Sequence, residues 1–548
     1  MSPNQPPSRG DPAALLEPQI AGILSKILGV APDAIPRREP FLSYGCDSIV
    51  LVMLATRLSE KFGVDLTVFQ LFELATLEAL SSYIPQRVNG AQLPEPAALA
   101  VDEPRARSFI SCGQWLFWRL AIRPELASYF NLRLAMMLQG PLDVPALQAS
   151  LQELVNRHDS LRLHFAAKNP SDPETVELVV PARVTPTFTI VEPQLRTASD
   201  PTEVVKALLQ REIEQSFDLF AEPLVRFKLV RFGPTLHAFL ITMHHLVTDE
   251  WSLNILKQEL LRLYAARTGG EPAALPQLPL QFADYAEWSH RLHQTEPYRA
   301  QRHYWDELFA SLGRFDLNAL ASLRDPGAAA GTTFTDLSIG AQDVSRLAAR
   351  GAWHGTTPYV LLQAVMHLAL YSMFPRLERM LTLSPVAERH RAELQHSVGM
   401  YLTIVGVPSM ISPGMTVRAF VAHLKRSVQE ALETAEARQF ALYDIAKHRA
   451  EDFPLFVYNY LVLPNDSDWA WHGLQAEPVI PLPDMRPFVT MLELYHGRSP
   501  SGMWGALKYD NSLLRADAAD RFSTNYRRIF ETVVSGSDDV PVTKLITA

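Results

Sequence analysis

Cysteine is scarce in this chain. Only Cys46 and Cys112 occur among its 548 residues. A secreted fold that depends on a network of disulfides needs more cysteines than this, so a reducing cytoplasm is the expected setting.

Long runs of basic or apolar residues are also lacking. The formal net charge is -9, and no lysine- and arginine-rich stretch provides a footprint for nucleic acid. Residues 1–10 are polar and rich in proline, without the apolar centre of a signal peptide. The most apolar stretch, 358–374, contains Gln363, His367 and Ser372 and is short for a bilayer crossing. The sequence therefore predicts a buried helix there, with neither nucleic acid nor a membrane as a partner.

The chain is long enough for several domains, and its composition changes along its length. After a flexible tail at 1–14, apolar residues at helical spacing over 15–85 predict a small bundle of three or four helices. Residues 86–107 are rich in proline and alanine and are typical of a linker. The remaining residues mix strands, such as 132–138 and 238–243, with amphipathic helices, such as 146–157 and 253–265. This pattern predicts α/β or α+β layers.

The first motif lies in the helical bundle, where Asp47 and Ser48 follow Gly45 and precede a predicted helix. These residues could simply cap that helix. The wider segment FLSYGCDSI (41–49), however, resembles the phosphopantetheine-attachment motif of acyl and peptidyl carrier proteins. The resemblance implies a carrier domain at 15–85, folded as a four-helix bundle. Ser48 would hold 4'-phosphopantetheine and Asp47 would be its acidic neighbour, with a phosphopantetheinyl transferase as partner. The cargo stays open between a polyketide acyl group and an aminoacyl chain.

The second motif is a pair of histidines, His244 and His245, at the end of a predicted strand. Adjacent strand residues point to opposite faces, so one imidazole should pack inside while the other faces a cleft. No cysteine or acidic cluster with zinc spacing lies nearby, and no metal is expected. A neutral imidazole can accept a proton, and Asp249 could fix the local geometry through an ion pair. Two ordinary histidines at a strand end are the alternative.

The segment HHLVTDEWS (244–252) resembles the active-site motif of the condensation domains of nonribosomal peptide synthetases, which are relatives of chloramphenicol acetyltransferase. Further landmarks of that family follow the same order along the chain: RHDSLR (157–162), FDL (217–219), FADYAEW (282–288), FPLFVYNY (453–460) and LKYD (507–510). The resemblance implies two acetyltransferase-like lobes in a V, at 108–285 and 286–548. A tunnel between them would be open to a donor carrier and to an acceptor.

The resemblance also assigns roles within the motif. It makes His245 the catalytic residue and His244 a structural one. It pairs Asp249 with an arginine of the RHDSLR segment, for which we expect Arg162 rather than Arg157.

Three further positions carry over or depart from the family pattern. Ser252 matches a serine often found at its place. Glu250 replaces the usual glycine, so that it could narrow the tunnel or attract a cationic acceptor. Thr403 stands where the family usually has asparagine.

The function implied is acyl transfer from a thioester on the Ser48-bound arm to an amine or hydroxyl, as in a peptide or hybrid polyketide assembly line. An upstream synthase or synthetase module would load the carrier. The acceptor would be a second carrier or a free small-molecule nucleophile, the latter suiting chain release. The protein would be a fragment of a synthetase or free-standing. Two alternatives stay open: a non-catalytic condensation-like platform that recruits another enzyme, and an epimerisation-type relative.

Overall fold

The computed structural model describes most of the chain from the first strand onwards and part of the segment before it. The described residues are 12–28, 31–39, 41, 76–88, 107–124, 127–169, 172–193, 200–221, 223–292, 331–374, 377–389, 392–412, 414–433, 456–461, 471–479, 492–499, 502–536 and 538–546, with short stretches between 54 and 74 and between 295 and 327.

The first unit is helical, as its apolar spacing predicts. Helix α1 (Pro12–Leu28) packs against helix α2 (Leu77–Val88), and a 3-10 turn, Pro32–Ala34, follows α1. The apolar side chains that the spacing places on one face are buried in one cluster, among them Ile20, Leu24, Leu54, Leu58, Leu80 and Ile84. Ser48 and Asp47 lie outside the described residues.

The N-lobe is built on a five-stranded sheet with the order β13-β2-β7-β6-β5. Its strands are β2 (Asn131–Gln139), β5 (Thr187–Val191), β6 (Val225–Arg231), β7 (Leu236–His244) and β13 (Gln475–Pro478). All neighbours are antiparallel except β5 and β6. The edge strand β13 comes from a distant part of the chain, more than 230 positions after β7.

Among the described residues, five α-helices and a small sheet complete the N-lobe. The helices are α3 (Cys112–Ala121), α4 (Val144–Arg157), α5 (Pro201–Glu214), α6 (Glu250–Arg267) and α7 (Phe282–Leu292). The small sheet has the order β1-β4-β3 and consists of β1 (Arg107–Phe109), β3 (His164–Asn169) and β4 (Asp172–Val179). The helices expected at 146–157 and 253–265 are confirmed as α4 and α6, and the strands expected at 132–138 and 238–243 as β2 and β7.

The C-lobe is built on a seven-stranded sheet with the order β11-β10-β12-β14-β15-β8, with β9 paired to β15. Its strands are β8 (Thr332–Asp336), β9 (Ile339–Gly340), β10 (Arg379–Ala387), β11 (Leu402–Met410), β12 (Phe456–Leu461), β14 (Leu492–Ser499) and β15 (Gly502–Asp510). Its helices are α8 (Ala341–Trp353), α9 (Pro358–Met373), α10 (Val417–Glu433), α11 (Ala516–Val534) and α12 (Val542–Ile546).

Helix α9 contains the most apolar stretch of the sequence. Every residue from Val360 to Tyr371 is buried, which confirms the expectation of a core helix. Within the described part of the chain, no helix is long and apolar enough to span a bilayer.

The two lobes share structure beyond their covalent link. The segment 388–401 follows β10 of the C-lobe, yet Leu394, Val398, Met400 and Tyr401 belong to the hydrophobic core of the N-lobe. Because β13 also adds to the N-lobe sheet, residues from the later part of the chain complete the N-lobe in two places. The division at residue 285 stays a prediction.

Candidate active site

The two histidines lie where β7 meets α6. Strand β7 is buried over most of its length and ends at His244, and a 3-10 turn, His245–Val247, follows. Asp249 then ends the turn as the N-cap of α6, because its Oδ1 accepts a hydrogen bond of 2.7 Å from the backbone N–H of Ser252. A buried strand and a capped helix thus fix both ends of the turn.

His244 holds the turn from within. Its side chain is completely buried between the rings of Phe130 and Phe217, and its Nδ1 accepts a hydrogen bond of 3.2 Å from the N–H of Leu246. Burial, with a smaller contribution from the charge of His245, lowers the pKa of His244 from 6.5 to about 3. The imidazole is therefore neutral and can serve as the acceptor that this hydrogen bond requires.

His245 points the other way. Its side chain is partly exposed, and its ring centroid lies 5.2 Å from that of Phe117 on α3. The backbone N–H of Thr248 donates to the carbonyl of His245 at 3.3 Å, which closes the turn. The His245 Nδ1 is buried and has no hydrogen-bond partner among the described residues. One histidine is packed and its neighbour is partly exposed, as predicted, although His245 lies in the turn after β7 rather than in the strand.

The prediction that Asp249 pairs with Arg162 is wrong. Asp249 pairs with Arg389, whose Nη2 lies 3.1 Å from Oδ1 and 3.3 Å from Oδ2. The backbone N–H of Tyr401 adds a further hydrogen bond of 3.1 Å. Arg389 is 1% exposed, and its guanidinium lies over the ring of Tyr401 at 4.2 Å. The ion pair thus joins the N-cap of α6 to the segment that follows β10.

Arg162, the residue expected in that place, is held elsewhere. It pairs with Asp159, three residues before it, and donates to the carbonyls of Pro181 and Ala182 at 2.8 Å and 3.0 Å. Arg157, the other arginine of that segment, pairs with Glu259 at 3.0 Å. Each arginine is bound by a nearer carboxylate, which leaves Asp249 to Arg389.

Ser252 binds the same segment from the first turn of α6. Its hydroxyl donates to the carbonyl of Gly399 at 2.9 Å and lies 3.0 Å from the Gly399 N–H and 2.7 Å from Arg389 Nη2, both of which donate. Glu250 is the first residue of α6 and is partly exposed. Thr403 is buried in β11.

Several residues of this site have no signal in the motif. Arg389 and Tyr401 are more than 130 positions from Asp249 along the chain. Gln114 is buried and donates from Nε2 to the carbonyl of Leu246 at 2.7 Å. The spacing Ser-x-x-Gln at 111–114 is typical of a capping box and could have predicted the start of α3, but not its contact with the histidine turn.

The arrangement suits proton transfer by a single imidazole. No group of three or more histidine, cysteine, aspartate or glutamate side chains forms a metal site in the part of the chain that the structure describes. The carrier unit suits covalent attachment of phosphopantetheine: its described helices enclose an apolar core, and the motif supplies a serine hydroxyl for a phosphodiester.

Comparison with known proteins identifies both units. Residues 112–539 match the family model of the condensation domain, and residues 18–84 match that of the phosphopantetheine attachment site. Gramicidin S synthase 2 of Brevibacillus brevis is 27% identical over 427 residues, which are 78% of this chain and 9% of that protein. Malpinin synthetase of Mortierella alpina is 26% identical over 548 residues, 97% of this chain and 7% of that protein. This chain thus spans less than a tenth of these relatives.

Solved structures with the same fold include the X-domain from teicoplanin biosynthesis, with a TM-score of 0.67, 22% identity, and coverage of 80% of this chain and 97% of that one. The first condensation domain of the calcium-dependent antibiotic synthetase has a TM-score of 0.63 and 15% identity, and covers 80% of this chain and 99% of its own. The long match to the family model, the fold and the ordered motifs agree, and the chain belongs to the condensation-domain family, with a phosphopantetheine carrier domain ahead of the condensation domain.

Proposed function

We propose that this carrier–condensation didomain transfers an acyl group from the arm on Ser48 to an amine or hydroxyl, with His245 as the general base. One observation supports it above the others: His245 is the accessible member of a histidine pair whose other member, His244, is buried and fixed. The surrounding polar groups hold the turn and leave the His245 ring available.

The chemistry needs one proton acceptor and one leaving group. When attached to Ser48, phosphopantetheine supplies the thiol that carries the acyl group as a thioester. His245 accepts the proton of the amine or hydroxyl as its nitrogen or oxygen bonds to the acyl carbonyl carbon. The same imidazole then returns that proton to the sulfur as the carbon–sulfur bond breaks, so that atoms and charge balance. General base catalysis of this kind contributes about 10²–10⁴-fold.

The ring nitrogen that exchanges the proton follows from burial. Because Nδ1 of His245 is buried, we assign the proton transfer to Nε2. The Asp249–Arg389 pair takes no part in this transfer, since Arg389 and the backbone N–H groups of Ser252 and Tyr401 already bind the carboxylate. Asp249 is a positioning residue.

The partners follow from the two units. A phosphopantetheinyl transferase would install the arm, and an upstream synthase or synthetase module would load it, in a cytoplasmic setting that the two cysteines favour. The acceptor would be a second carrier or a free small molecule. Glu250, partly exposed at the start of α6, favours a cationic acceptor by its charge.

The experiment begins with the full chain, phosphopantetheinylated and loaded with an acyl thioester, and measures transfer to a panel of amines and alcohols by mass spectrometry. His245→Ala should lower the transfer rate by about 10²–10⁴-fold and leave loading intact. His472→Ala is the matched control, because His472 is an exposed N-lobe histidine that contacts only Thr268 among the hydrogen bonds described for it. It should transfer at the parent rate.

Each contrary result has a distinct meaning. Transfer at the parent rate by His245→Ala would refute the base role. Absence of transfer to every nucleophile by the parent would instead favour the recruitment platform. Deuterium uptake at the acyl α-carbon without transfer would favour epimerisation.

A further inference from the structure

Helix α3 contacts the histidine turn at Leu246 and His245. Gln114 is 0% exposed, and its Nε2 donates to the carbonyl of Leu246 at 2.7 Å. Phe117, one helical turn further along α3, has its ring centroid 5.2 Å from that of His245. Two side chains on one face of α3 thus contact the turn, one at its backbone and one at the imidazole.

The peptide groups on both sides of Leu246 are fixed. Its N–H donates to the buried imidazole of His244 at 3.2 Å, while its carbonyl accepts from Gln114. Its side chain is 0% exposed. Because Leu246 follows His245 directly, these two bonds restrict the backbone that aims the His245 ring.

Gln114 is itself held in place. Its Oε1 accepts from the N–H of Ser111 at 3.1 Å, and its own N–H donates to the Ser111 hydroxyl at 3.2 Å, which together form a capping box at the start of α3. The amide therefore binds the helix end with its oxygen and the histidine turn with its nitrogen. Because both the oxygen and the nitrogen of this amide are hydrogen-bonded, the Gln114 side chain has little freedom to move.

The His245 ring lacks the hydrogen bond that commonly orients a catalytic imidazole. In a Ser-His-Asp triad a carboxylate accepts from Nδ1 and fixes the ring, whereas Nδ1 of His245 has no partner in the described part of the chain. The ring orientation must then come from its backbone and from apolar packing. Gln114 and Phe117 supply both.

We propose that Gln114 and Phe117 are positioning residues for the proposed base His245, acting through the Leu246 carbonyl and through ring packing. This inference rests on the proposed function, and it predicts a loss in the chemical step rather than in binding of the acceptor. A displacement of about 1 Å at a reacting group can cost about 10²-fold in rate.

The test uses the full loaded chain and compares Gln114→Met with Ser111→Ala. Methionine matches glutamine in length but offers Leu246 no N–H, whereas Ser111→Ala weakens the helix cap and keeps the Gln114 amide. Gln114→Met should lower kcat about tenfold to hundredfold and leave KM for the acceptor unchanged. Phe117→Leu should act in the same direction. Ser111→Ala should keep the parent kcat, because the Ser111 backbone N–H that holds the Gln114 amide oxygen remains.

A second measurement reports on the histidine turn independently of enzymatic activity. Hydrogen exchange of the Leu246 amide should be faster in Gln114→Met than in the parent and in Ser111→Ala, while circular dichroism confirms that all variants are folded. Parent kcat and parent exchange in Gln114→Met would overturn the inference, as would a lower kcat with unchanged exchange. If His245→Ala retained activity while Gln114→Met loosened the turn, the proposed function would fail and the structural role of Gln114 would stand.

Discussion

The carboxylate of Asp249 accepts hydrogen bonds from three different residues. It binds the backbone N–H of Ser252, the backbone N–H of Tyr401 and the guanidinium of Arg389. Arg389 in turn donates to the carbonyls of Leu394 and Ser397, both at 2.7 Å. Both charges are buried, so each depends on the other for compensation.

Replacing Arg389 by methionine should therefore destabilise the fold strongly. An unpaired buried carboxylate would remain, at a cost of about 3–5 kcal/mol in the free energy of unfolding. Urea denaturation of the parent and of Arg389→Met measures it.

The control for that change is Arg346→Met. Arg346 also pairs with carboxylates, Asp343 and Glu531, but at the surface. Exposed pairs contribute little to stability because water and salt screen them, so this variant should stay close to the parent. Equal losses in both variants would contradict the importance of burial.

At the scale of single residues, the sequence predicts the histidine motif but not the arginine that pairs with Asp249. Strand alternation predicts one packed and one accessible imidazole, and the family resemblance implies that His244 is the packed one; the structure has a buried His244 and a partly exposed His245. The partner of Asp249 is not local: Arg162 lies in a segment that resembles the family motif, but Asp159 binds it first. No pattern in one sequence relates Asp249 to an arginine 140 positions later.

Among the larger elements, the segment 388–401 joins the two lobes. The indole N–H of Trp251 donates to the carbonyl of Gln395 at 3.0 Å, and Tyr285 donates from its hydroxyl to Glu388. The ring of Tyr401 packs edge-on against Phe282 at 5.2 Å. Helices α6 and α7 of the N-lobe thus both bind a segment that begins at the end of a C-lobe strand.

The backbone of Gly399 packs directly against the ring of Phe282 in this interface. A Cβ atom there would lie 2.1 Å from the Phe282 ring, which is far inside van der Waals contact. Gly399→Ala should lower the free energy of unfolding by about 1–3 kcal/mol, as measured by urea denaturation.

Two further variants test whether contact with the Phe282 ring causes this loss of stability. Gly340→Ala is the matched control, because nothing lies within 4 Å of a Cβ at that position of β9. Adding Phe282→Leu to Gly399→Ala should recover part of the loss. A Gly399→Ala protein as stable as the parent would show that Phe282 moves aside freely.

The regular elements were predictable, and the crossings between lobes were not. Helices α4 and α9 and strands β2 and β7 follow from periodicity and apolar runs, which reflect burial along one element. Strand β13 is only four residues long, Gln475–Pro478, and alternates no clear apolar face. Its place in the sheet is decided by β2, more than 330 positions earlier.

The whole molecule contains buried histidines in both lobes. His244 lies in the N-lobe and His367 and His496 in the C-lobe, and each is completely buried. Burial lowers the pKa of all three from 6.5 to about 3. His367 is held between the hydroxyls of Ser409 and Thr382, at 2.6 Å and 2.7 Å.

These pKa values make stability depend on acidity. Above pH 6.5 the three imidazoles are neutral in both the folded and the unfolded chain, and their contribution to stability is fully present. As the pH falls from 6.5 towards 3, only the unfolded chain takes up the protons, so stability falls by up to about 1.4 kcal/mol per pH unit for each histidine. Unfolding free energies measured between pH 7.5 and 5 test this slope.

Two variants test how much one of these histidines contributes to the pH dependence of stability. His496→Gln should reduce the slope by about one proton, or ~1.4 kcal/mol per pH unit. Gln342→Asn, an exposed change on α8 that removes no titratable group, should keep the parent slope. An unchanged slope in His496→Gln would mean that His496 is protonated in the folded protein.

The position of strand β13 limits how condensation domains can be exchanged between proteins. It covers β2, which would otherwise present an unpaired row of backbone donors and acceptors at the sheet margin. A splice made between the lobes would take β13 from one parent and β2 from another, and it would likewise take Asp249 and Arg389 from different parents. An exchange of condensation units should therefore transplant both lobes as one piece, with the fusion points outside 107–546.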